Sequence, residues 1–263
     1  MELNLQGKHV FITGASRGIG LAVARAFARE GAQIAMAARG RALIESEAKA
    51  IENDFSTKAI GFSMDVTKPG EIEKSRRIIE DEFGGLDILV NNAGVGTEET
   101  VLESKDSDWY RVWDLHVMSA VRTARAFVPY MKKRGEGCIL NTASICATQP
   151  LWYEPIYNTT KAALLMFGKC LANELIPHNI RVNTVSPGLV LTPDWRKTAT
   201  NLAQERGITP EEYLDSVAEN APIKRFASPE EIAETYVFLA SERSSYSVGS
   251  NFYLDGGWLG TVS

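Results

Sequence analysis

The sequence predicts an α/β fold in which a doubly wound parallel sheet of about seven strands carries helices on both faces. Short apolar runs alternate along the chain with longer segments rich in alanine and charged residues. This alternation indicates repeated strand–helix–strand units, which build a parallel sheet. A glycine-rich turn, residues 14–20, separates the first apolar run from the first helical segment. No low-complexity or linker-like stretch interrupts the pattern, so we expect one domain over residues 1–263.

The first half of the chain contains four short apolar runs that predict strands, at residues 9–13, 33–38, 59–64 and 86–90. The segments 21–29 and 40–54 between them predict helices, because alanine and long charged side chains favour helical backbone. Another helix should open at Lys68-Pro69-Gly70, since proline fits the first turn of a helix.

The second half continues the alternation. Ser107 is expected to cap a long helix that reaches about Arg134, and Pro129 should kink this helix or mark its last turns. The helix after the fifth strand should run to about Ile176. The remaining predicted strands cover residues 138–143, 181–185 and 252–254.

Residues 192–220 depart from the alternation of strands and helices. They are polar and helical in pattern, with interruptions at Gly207 and Pro210. An insertion at the carboxyl edge of the sheet is a candidate lid over a substrate. The alternative is a surface excursion that does not contact the substrate.

Composition excludes several classes of protein. Hydrophobic residues make up 44% and charged residues 23% of the chain, which is typical of a soluble globular protein. A net charge of −5 without a basic tract argues against binding to nucleic acid. We expect no membrane segment and a cytoplasmic location, since no signal-like start or long apolar run is present. Cys138, Cys146 and Cys170 lack metal-ligand spacing and are expected to be reduced, packed thiols.

The glycine-rich turn has the arrangement that binds a dinucleotide. It follows an apolar strand and opens an alanine-rich helix. Glycines let the backbone approach a pyrophosphate, and the free N–H groups at the start of the helix meet its negative charge. The alternative is a tight turn without a ligand.

Three side chains suited to acid–base chemistry follow the fifth strand: Ser144, Tyr157 and Lys161. A lysine four residues after a tyrosine lies on the same helix face, one turn away. Its ammonium would favour the phenolate and lower a pKa that is ordinarily about 10. Tyr157 is therefore a candidate general acid and base for an alcohol and carbonyl pair. Ser144 should lie at the carboxyl end of its strand, where active-site residues of open α/β sheets collect.

Together these motifs closely resemble the short-chain dehydrogenase/reductase family, in its single-domain branch of about 250 residues. The resemblance covers essentially the whole chain and implies a Rossmann-type sheet. It assigns catalysis to Ser144, Tyr157 and Lys161. The residues that it assigns to cofactor binding are Gly14, Ser16, Arg17, Gly18, Ile19, Gly20, Arg39, Asp65, Val66, Asn92, Ala93, Gly94, Tyr157, Lys161, Pro187, Gly188, Val190 and Thr192.

The resemblance implies reversible hydride transfer between a nicotinamide cofactor and a carbonyl or secondary alcohol. Tyr157 would exchange a proton with the substrate oxygen and Ser144 would hold that oxygen. Lys161 would bind the nicotinamide ribose and favour the phenolate. Family members commonly form tetramers, so we expect a homo-oligomer, either a tetramer or a dimer. The closing stretch is similar to that of 3-oxoacyl-carrier-protein reductases, although such likeness says little about substrate.

The charge at the end of the second strand favours NADP(H) as the cofactor. Family members that prefer NAD usually carry an acidic residue there, whereas this chain has Arg39, with Arg17 and Arg41 able to lie nearby. A guanidinium suits the 2′-phosphate that distinguishes NADP from NAD. NAD(H) is the alternative, because arginines near a strand end are also often only solvated.

His116 occupies the position at which many family members have an asparagine that orders a proton path to the lysine. We expect His116 to replace the hydrogen bonds of that asparagine. The alternative is a fourth catalytic residue that joins the proton relay and titrates near pH 6–7.

The substrate is predicted only in outline. Several aromatic residues and few charges suggest an apolar or ring-containing carbonyl compound. The residues expected to face it are Ile145, Gln149, Leu151, Trp152, Tyr153 and Trp195. Three alternatives stay open: a nucleotide-binding regulator without turnover, an NAD(H)-preferring alcohol dehydrogenase, and a sugar-nucleotide epimerase or dehydratase.

Overall fold

Seven parallel strands form one sheet in the computed structural model, which describes residues 2–260. The order across the sheet is β3-β2-β1-β4-β5-β6-β7, and each neighbouring pair is parallel. The predicted α/β fold is confirmed. The strands are β1 (His9–Thr13), β2 (Gln33–Ala38), β3 (Ala59–Ser63), β4 (Ile88–Asn91), β5 (Gly137–Thr142), β6 (Ile180–Pro187) and β7 (Asn251–Leu254).

The strand order reverses direction between β1 and β4. Val10 of β1 pairs with Ile34 of β2 on one side and with Ile88 of β4 on the other. The chain therefore leaves these two central strands toward opposite edges of the sheet. In open α/β sheets the resulting crevice at the carboxyl ends of the strands is where ligands bind.

Two helical layers cover the sheet. One apolar cluster joins it to α1 (Gly18–Arg29), α2 (Arg41–Phe55) and α9 (Pro229–Ala240). The cluster on the other face joins it to α3 (Pro69–Phe83), α5 (Ser119–Arg134) and α6 (Pro155–Leu175). Within residues 2–260, none of the helices is both long enough and apolar enough to cross a membrane.

The helical region between β4 and β5 differs from the sequence prediction at its start. The first helix, α4 (Asp106–Trp113), begins after Lys105, so the predicted Ser107 cap is wrong. Asp106 and Asp108 place negative charge in the first turn, where the helix dipole favours it without a hydroxyl cap. A π-helical turn, Asp114–Met118, then connects α4 to α5. Pro129 lies in the last two turns of α5, in agreement with one of the two predictions for it.

The segment after β6 contains two short helices, α7 (Pro193–Arg206) and α8 (Pro210–Ala218). Gly207 ends α7 in the left-handed conformation, and Thr209 forms a capping box with Glu212 at the start of α8. The two helices pack through a small cluster of their own that includes Ala199, Ala203 and Tyr213.

The cysteine prediction is partly wrong. All three thiols are free, and Cys138 and Cys146 are buried as expected. Cys170 is exposed, because it lies on the face of α6 that points away from the sheet.

Candidate active site

Ser144, Tyr157 and Lys161 converge beyond the carboxyl end of β5. Ser144 follows β5 by two residues, and its Oγ accepts a hydrogen bond from the Cys146 backbone N–H at 3.2 Å. This bond caps the short 3-10 turn Ile145–Ala147 and fixes the position of the hydroxyl. Because α6 begins at Pro155, Tyr157 lies in its first turn and Lys161 lies one turn later.

Lys161 is buried, with 3% of its surface exposed. Its Nζ donates a hydrogen bond to the Thr142 carbonyl oxygen at 2.8 Å and lies 5.4 Å from the centre of the Tyr157 ring. The one-turn separation expected from the spacing is therefore found. Burial lowers the pKa of Lys161 to about 8, because the charged form loses hydration there.

The predicted decrease in the pKa of Tyr157 is wrong for this structure. Burial raises the pKa of the phenol, and the nearby Cys146 thiol and Glu154 carboxyl act in the same direction. The interaction with Ser144 acts in the opposite direction but does not outweigh burial. Tyr157 therefore keeps its proton at neutral pH, which is the state needed to donate one.

His116 lies in the π-helical turn, edge-on to the Tyr157 ring at 5.6 Å between ring centres. The Val95 backbone N–H donates to His116 Nε2 at 3.1 Å, so Nδ1 carries the proton and donates to Thr160 Oγ1 at 2.8 Å. Thr160 in turn donates to the Tyr157 carbonyl oxygen at 3.0 Å. His116 is thus connected to the first turn of α6.

The titration of His116 near pH 6–7, considered from the sequence, is wrong. Burial and the charge of Lys161 lower the pKa of His116 to about 2, so the imidazole is neutral. Both ring nitrogens are occupied, in the manner of an amide side chain. This geometry supports the prediction that His116 replaces the hydrogen bonds of the asparagine that many family members have at this position.

The glycine-rich turn packs against residues 92–94 so closely that two of its glycines leave no room for a side chain. A Cβ on Gly14 would lie 2.8 Å from Ala93 Cα, and one on Gly20 would lie 2.5 Å from Asn92 Nδ2. Gly14 also has a φ of +66°, which favours glycine. Asn92 Nδ2 donates to the carbonyl oxygens of Thr13 and Gly14, both at 3.1 Å. The glycine-rich turn and residues 92–94, two motifs predicted to bind the cofactor, are therefore packed and hydrogen-bonded to each other.

The amino end of α1 is open to an anion. Arg17 holds the N-cap position without a side-chain hydrogen bond to the helix, Ser16 precedes it, and Gly18 and Ile19 form the first turn. Backbone N–H groups in such a position can hold a pyrophosphate. Gly94 connects this region to the side chains predicted to be catalytic, since a Cβ there would lie 3.2 Å from His116 Nε2 and 3.4 Å from Lys161 Nζ.

The three arginines expected near the end of β2 do not act together. Arg17 pairs with Asp194 at 3.1 Å, and Arg41 pairs with Glu45 at 2.7 Å. Arg39 is exposed and follows β2 directly, and its guanidinium forms no ion pair within the part of the chain that the structure describes. Of the three, Arg39 is therefore the cation available to a 2′-phosphate.

Asp65 and Val66, the predicted adenine contact, follow β3 at the same edge of the sheet. The Thr67 backbone N–H and hydroxyl donate to Asp65 Oδ1 at 2.9 and 2.7 Å, which fixes the carboxylate. Val66 is buried beside it.

The segment 187–192 crosses from β6 to α7 beside the glycine-rich turn. The Gly188 N–H donates to the Leu254 carbonyl at 3.0 Å, and Val190 forms a parallel bridge to Ala227. Thr192 caps α7, and its methyl group would lie 3.4 Å from a Cβ on Gly18. Pro187 to Thr192 thus lies beside the glycine-rich turn, and its role in binding the nicotinamide carboxamide stays a prediction.

Comparison with known proteins agrees with this geometry. The sequence matches the family described as Enoyl-(Acyl carrier protein) reductase over residues 14–259. The chain belongs to the short-chain dehydrogenase/reductase family. The predicted family is therefore confirmed.

Several relatives of this short-chain dehydrogenase/reductase have named activities. The 3-oxoacyl-[acyl-carrier-protein] reductase of Vibrio cholerae is 34% identical over 97% of this chain and 98% of that protein. Galactitol 2-dehydrogenase of Agrobacterium fabrum is 34% identical over 98% of this chain and 100% of that protein. A crystal structure of L-sorbose reductase from Gluconobacter frateurii, complexed with NADPH and L-sorbose, is 52% identical, covers 100% of both chains and has a TM-score of 0.98. The prediction of an oxidoreductase acting on carbonyl or CH–OH groups is confirmed.

Two side chains of the active-site cleft were not predicted from the sequence. Glu154, with 8% of its surface exposed, precedes α6, and its Oε1 accepts a hydrogen bond from the Cys146 thiol at 3.2 Å. Both groups lie close enough to Tyr157 to affect its pKa. The sequence signal that could have identified Glu154 is its position three residues before Tyr157, at the start of the predicted helix.

Trp152 and Trp195, two of the aromatic residues expected to face the substrate, differ in burial. Trp152 is 82% exposed, so it does not line a closed apolar pocket. Trp195 is half-buried and packs edge-on against Phe226, with 5.3 Å between ring centres, and its contact with the substrate stays a prediction.

Proposed function

We propose that the protein is an NADPH-dependent reductase of ketoses, which adds a hydride to the ketone carbon and a proton to the ketone oxygen. The product is a polyol. The observation that carries the proposal is the convergence of Ser144, Tyr157 and the buried Lys161 beside the buried carboxyl group of Glu154. Oxidation of a secondary alcohol would use the same groups in reverse.

Each of the three catalytic side chains has a separate task. The nicotinamide, when bound, supplies the hydride. Tyr157 donates its phenolic proton to the ketone oxygen, and Ser144 donates a hydrogen bond to the same oxygen. The ammonium of Lys161 stabilises the resulting phenolate. Since the pKa of Lys161 is about 8, this charge is present at neutral pH. His116 positions Tyr157 through Thr160.

NADP(H) is the proposed cofactor because an exposed guanidinium, Arg39, follows β2 where an acidic residue would favour NAD(H). The amino end of α1 would bind the pyrophosphate, and residues 187–192 would bind the carboxamide. The relative crystallised with NADPH supports this assignment. NAD(H) is the alternative cofactor.

A polyhydroxy ketone suits the cleft better than the apolar compound suggested by the aromatic residues. Within residues 2–260, the Glu154 side chain has one hydrogen-bond partner, the Cys146 thiol, so its second oxygen is available to substrate hydroxyl groups. Burial, with a smaller effect from Glu99, raises the pKa of Glu154 to about 7. Hydroxyl donors would stabilise its carboxylate. The relatives named for L-sorbose and galactitol support this substrate class.

We also propose that α7 and α8 act as a lid over the substrate within a single domain. The Arg17–Asp194 ion pair joins α7 to the glycine-rich turn, so movement of α7 would open or close the cleft. A homo-oligomer, either tetramer or dimer, is proposed from the family. Exposed Tyr110 and Trp113 on α4 and Met166 on α6 suit such contacts.

The test is NADPH oxidation with L-sorbose, other ketoses, simple diketones and a 3-oxoacyl thioester, measured beside Tyr157→Phe. We expect turnover with ketoses that disappears in the variant. Preference for the thioester would contradict the substrate class. NADPH binding without turnover on any compound would favour a nucleotide-binding regulator instead.

A further inference from the structure

A buried pair of hydroxyl groups lies behind the active site. Tyr236 of α9 has no exposed surface, and its hydroxyl lies 2.7 Å from Thr142 Oγ1. The neighbouring buried residues of α9 are apolar, so the phenol places a polar atom in an apolar cluster. A phenylalanine would pack there without the cost of burying a hydroxyl. The hydrogen bond to Thr142 therefore offsets the cost of burying the Tyr236 hydroxyl.

Donors and acceptors fix the direction of the hydrogen bonds. Asn92 Nδ2 donates to two backbone carbonyls, so its Oδ1 faces Thr142 Oγ1, at 3.4 Å. An amide oxygen only accepts, so the single hydroxyl proton of Thr142 goes to Asn92. Tyr236 must then donate to Thr142. Burial raises the pKa of Tyr236, so it remains a donor at neutral pH.

Thr142 is also the residue that holds Lys161. Its carbonyl oxygen accepts from Lys161 Nζ at 2.8 Å on the α6 side of the sheet, while its side chain points toward α9. One residue at the end of β5 therefore contacts the catalytic lysine through its backbone. The same residue contacts the glycine-rich turn through Asn92.

We propose that Tyr236 and Thr142 are positioning residues that hold Lys161 and the glycine-rich turn in register from the far face of the sheet. The hydrogen-bonded chain runs from Tyr236 through Thr142 to Asn92 and ends on the Gly14 carbonyl. This inference rests on the proposed function, because it assigns these residues to the binding of the same cofactor.

The test compares NADPH affinity in wild type, Tyr236→Phe, Thr142→Val and Thr142→Ser. Loss of one hydrogen bond should weaken NADPH binding about 3- to 10-fold in Tyr236→Phe, and Thr142→Val should weaken it more. Thr142→Ser restores the hydroxyl and should recover near wild-type affinity. Adding Tyr236→Phe to the Thr142→Val background should have little further effect, because the two act through one bond.

Thr123→Val is the matched control. Thr123 is also buried and donates to Asn91 Oδ1 at 2.7 Å, but it forms no hydrogen bond to Lys161 or to the glycine-rich turn within residues 2–260. We expect this variant to lose stability without losing NADPH affinity. Unchanged NADPH affinity in folded Tyr236→Phe, or equal losses in Thr142→Ser and Thr142→Val, would overturn the inference.

Cofactor affinity also separates this inference from the proposed function. Wild-type protein that binds NADPH but reduces no ketose would contradict the ketose reductase, while the affinities of the variants would still decide the role of Tyr236. In an active enzyme, we expect Tyr236→Phe to raise the KM for NADPH more than it lowers kcat.

Discussion

Lys161 and Arg39, two cations proposed to contact the cofactor, lie in opposite environments. Lys161 is buried beneath Tyr157 and hydrogen-bonded to Thr142, and burial lowers its pKa. Arg39 extends from the end of β2 into solvent. A buried charge depends on its surroundings, whereas an exposed charge can change with little effect on the fold. We therefore expect that substitutions can change the catalytic rate and the preference between NADPH and NADH separately.

The largest expected effect is on the chemistry of the buried centre. Tyr157→Phe removes the proton donor while keeping the ring, so kcat should fall about 1000-fold. The NADPH dissociation constant should change little, because the phenol is not the main contact for the phosphates. Fluorescence titration and steady-state kinetics measure the two quantities. A large loss of NADPH affinity in this variant would break the proposed separation.

The next effect concerns the exposed end of β2. Arg39→Asp should weaken NADPH binding by about 30-fold or more and leave NADH binding much less affected, because a carboxylate repels the 2′-phosphate. Arg41→Asp is the control, since Arg41 is already paired with Glu45. Equal losses for both nucleotides would remove the assignment of Arg39.

A smaller effect is expected on stability. Lys161→Met should raise the free energy of unfolding at pH 7 by about 2 kcal/mol. The lowering of the lysine pKa from an ordinary 10.5 to about 8 corresponds to about 3 kcal/mol, and loss of the hydrogen bond to Thr142 offsets about 1 kcal/mol of it. The unfolded chain binds the proton more tightly. Wild type is therefore least stable, relative to the variant, below pH 8, and the difference should shrink as the pH rises toward 10.5. Thermal unfolding across this range measures it.

The control for this prediction is Lys169→Met, which changes an exposed lysine of the same helix. It should give no such pH dependence. A Lys161→Met variant that is less stable than wild type across the whole range would mean that the hydrogen bond to Thr142 outweighs the desolvation of the ammonium.

The smallest effect is expected at His116. Because its pKa is lowered to about 2, His116→Asn should leave the shape of the pH–rate profile between pH 5 and 9 unchanged. Loss of one of its two hydrogen bonds should reduce the rate less than about 10-fold. A displaced limb in the profile would restore the proton-relay hypothesis.

Local sequence patterns predicted most of the fold and where the motifs proposed to bind the cofactor lie in it. The glycine-rich turn and the Tyr157–Lys161 spacing are properties of a few consecutive residues, and the helix period places them correctly. The start of α4 was predicted wrongly because no hydroxyl side chain caps this helix. The carboxylates of Asp106 and Asp108 in its first turn interact favourably with the helix dipole instead.

Properties that depend on burial or on distant elements could not be predicted in this way. The raised pKa of Tyr157 follows from burial and from Cys146, and spacing reveals neither. The contact between Tyr236 and Thr142 joins residues from α9 and β5. Glutamate is ordinarily an exposed residue, so the sequence alone does not reveal that Glu154 is buried in the folded protein.

The most direct test is to measure NADPH affinity and ketose turnover in Tyr157→Phe and Arg39→Asp side by side. We predict that Tyr157→Phe loses turnover and keeps NADPH affinity. Arg39→Asp should lose NADPH affinity and regain turnover at saturating cofactor. If each variant lost both properties to a similar extent, the separation between the buried chemical centre and the exposed cofactor selector would be contradicted.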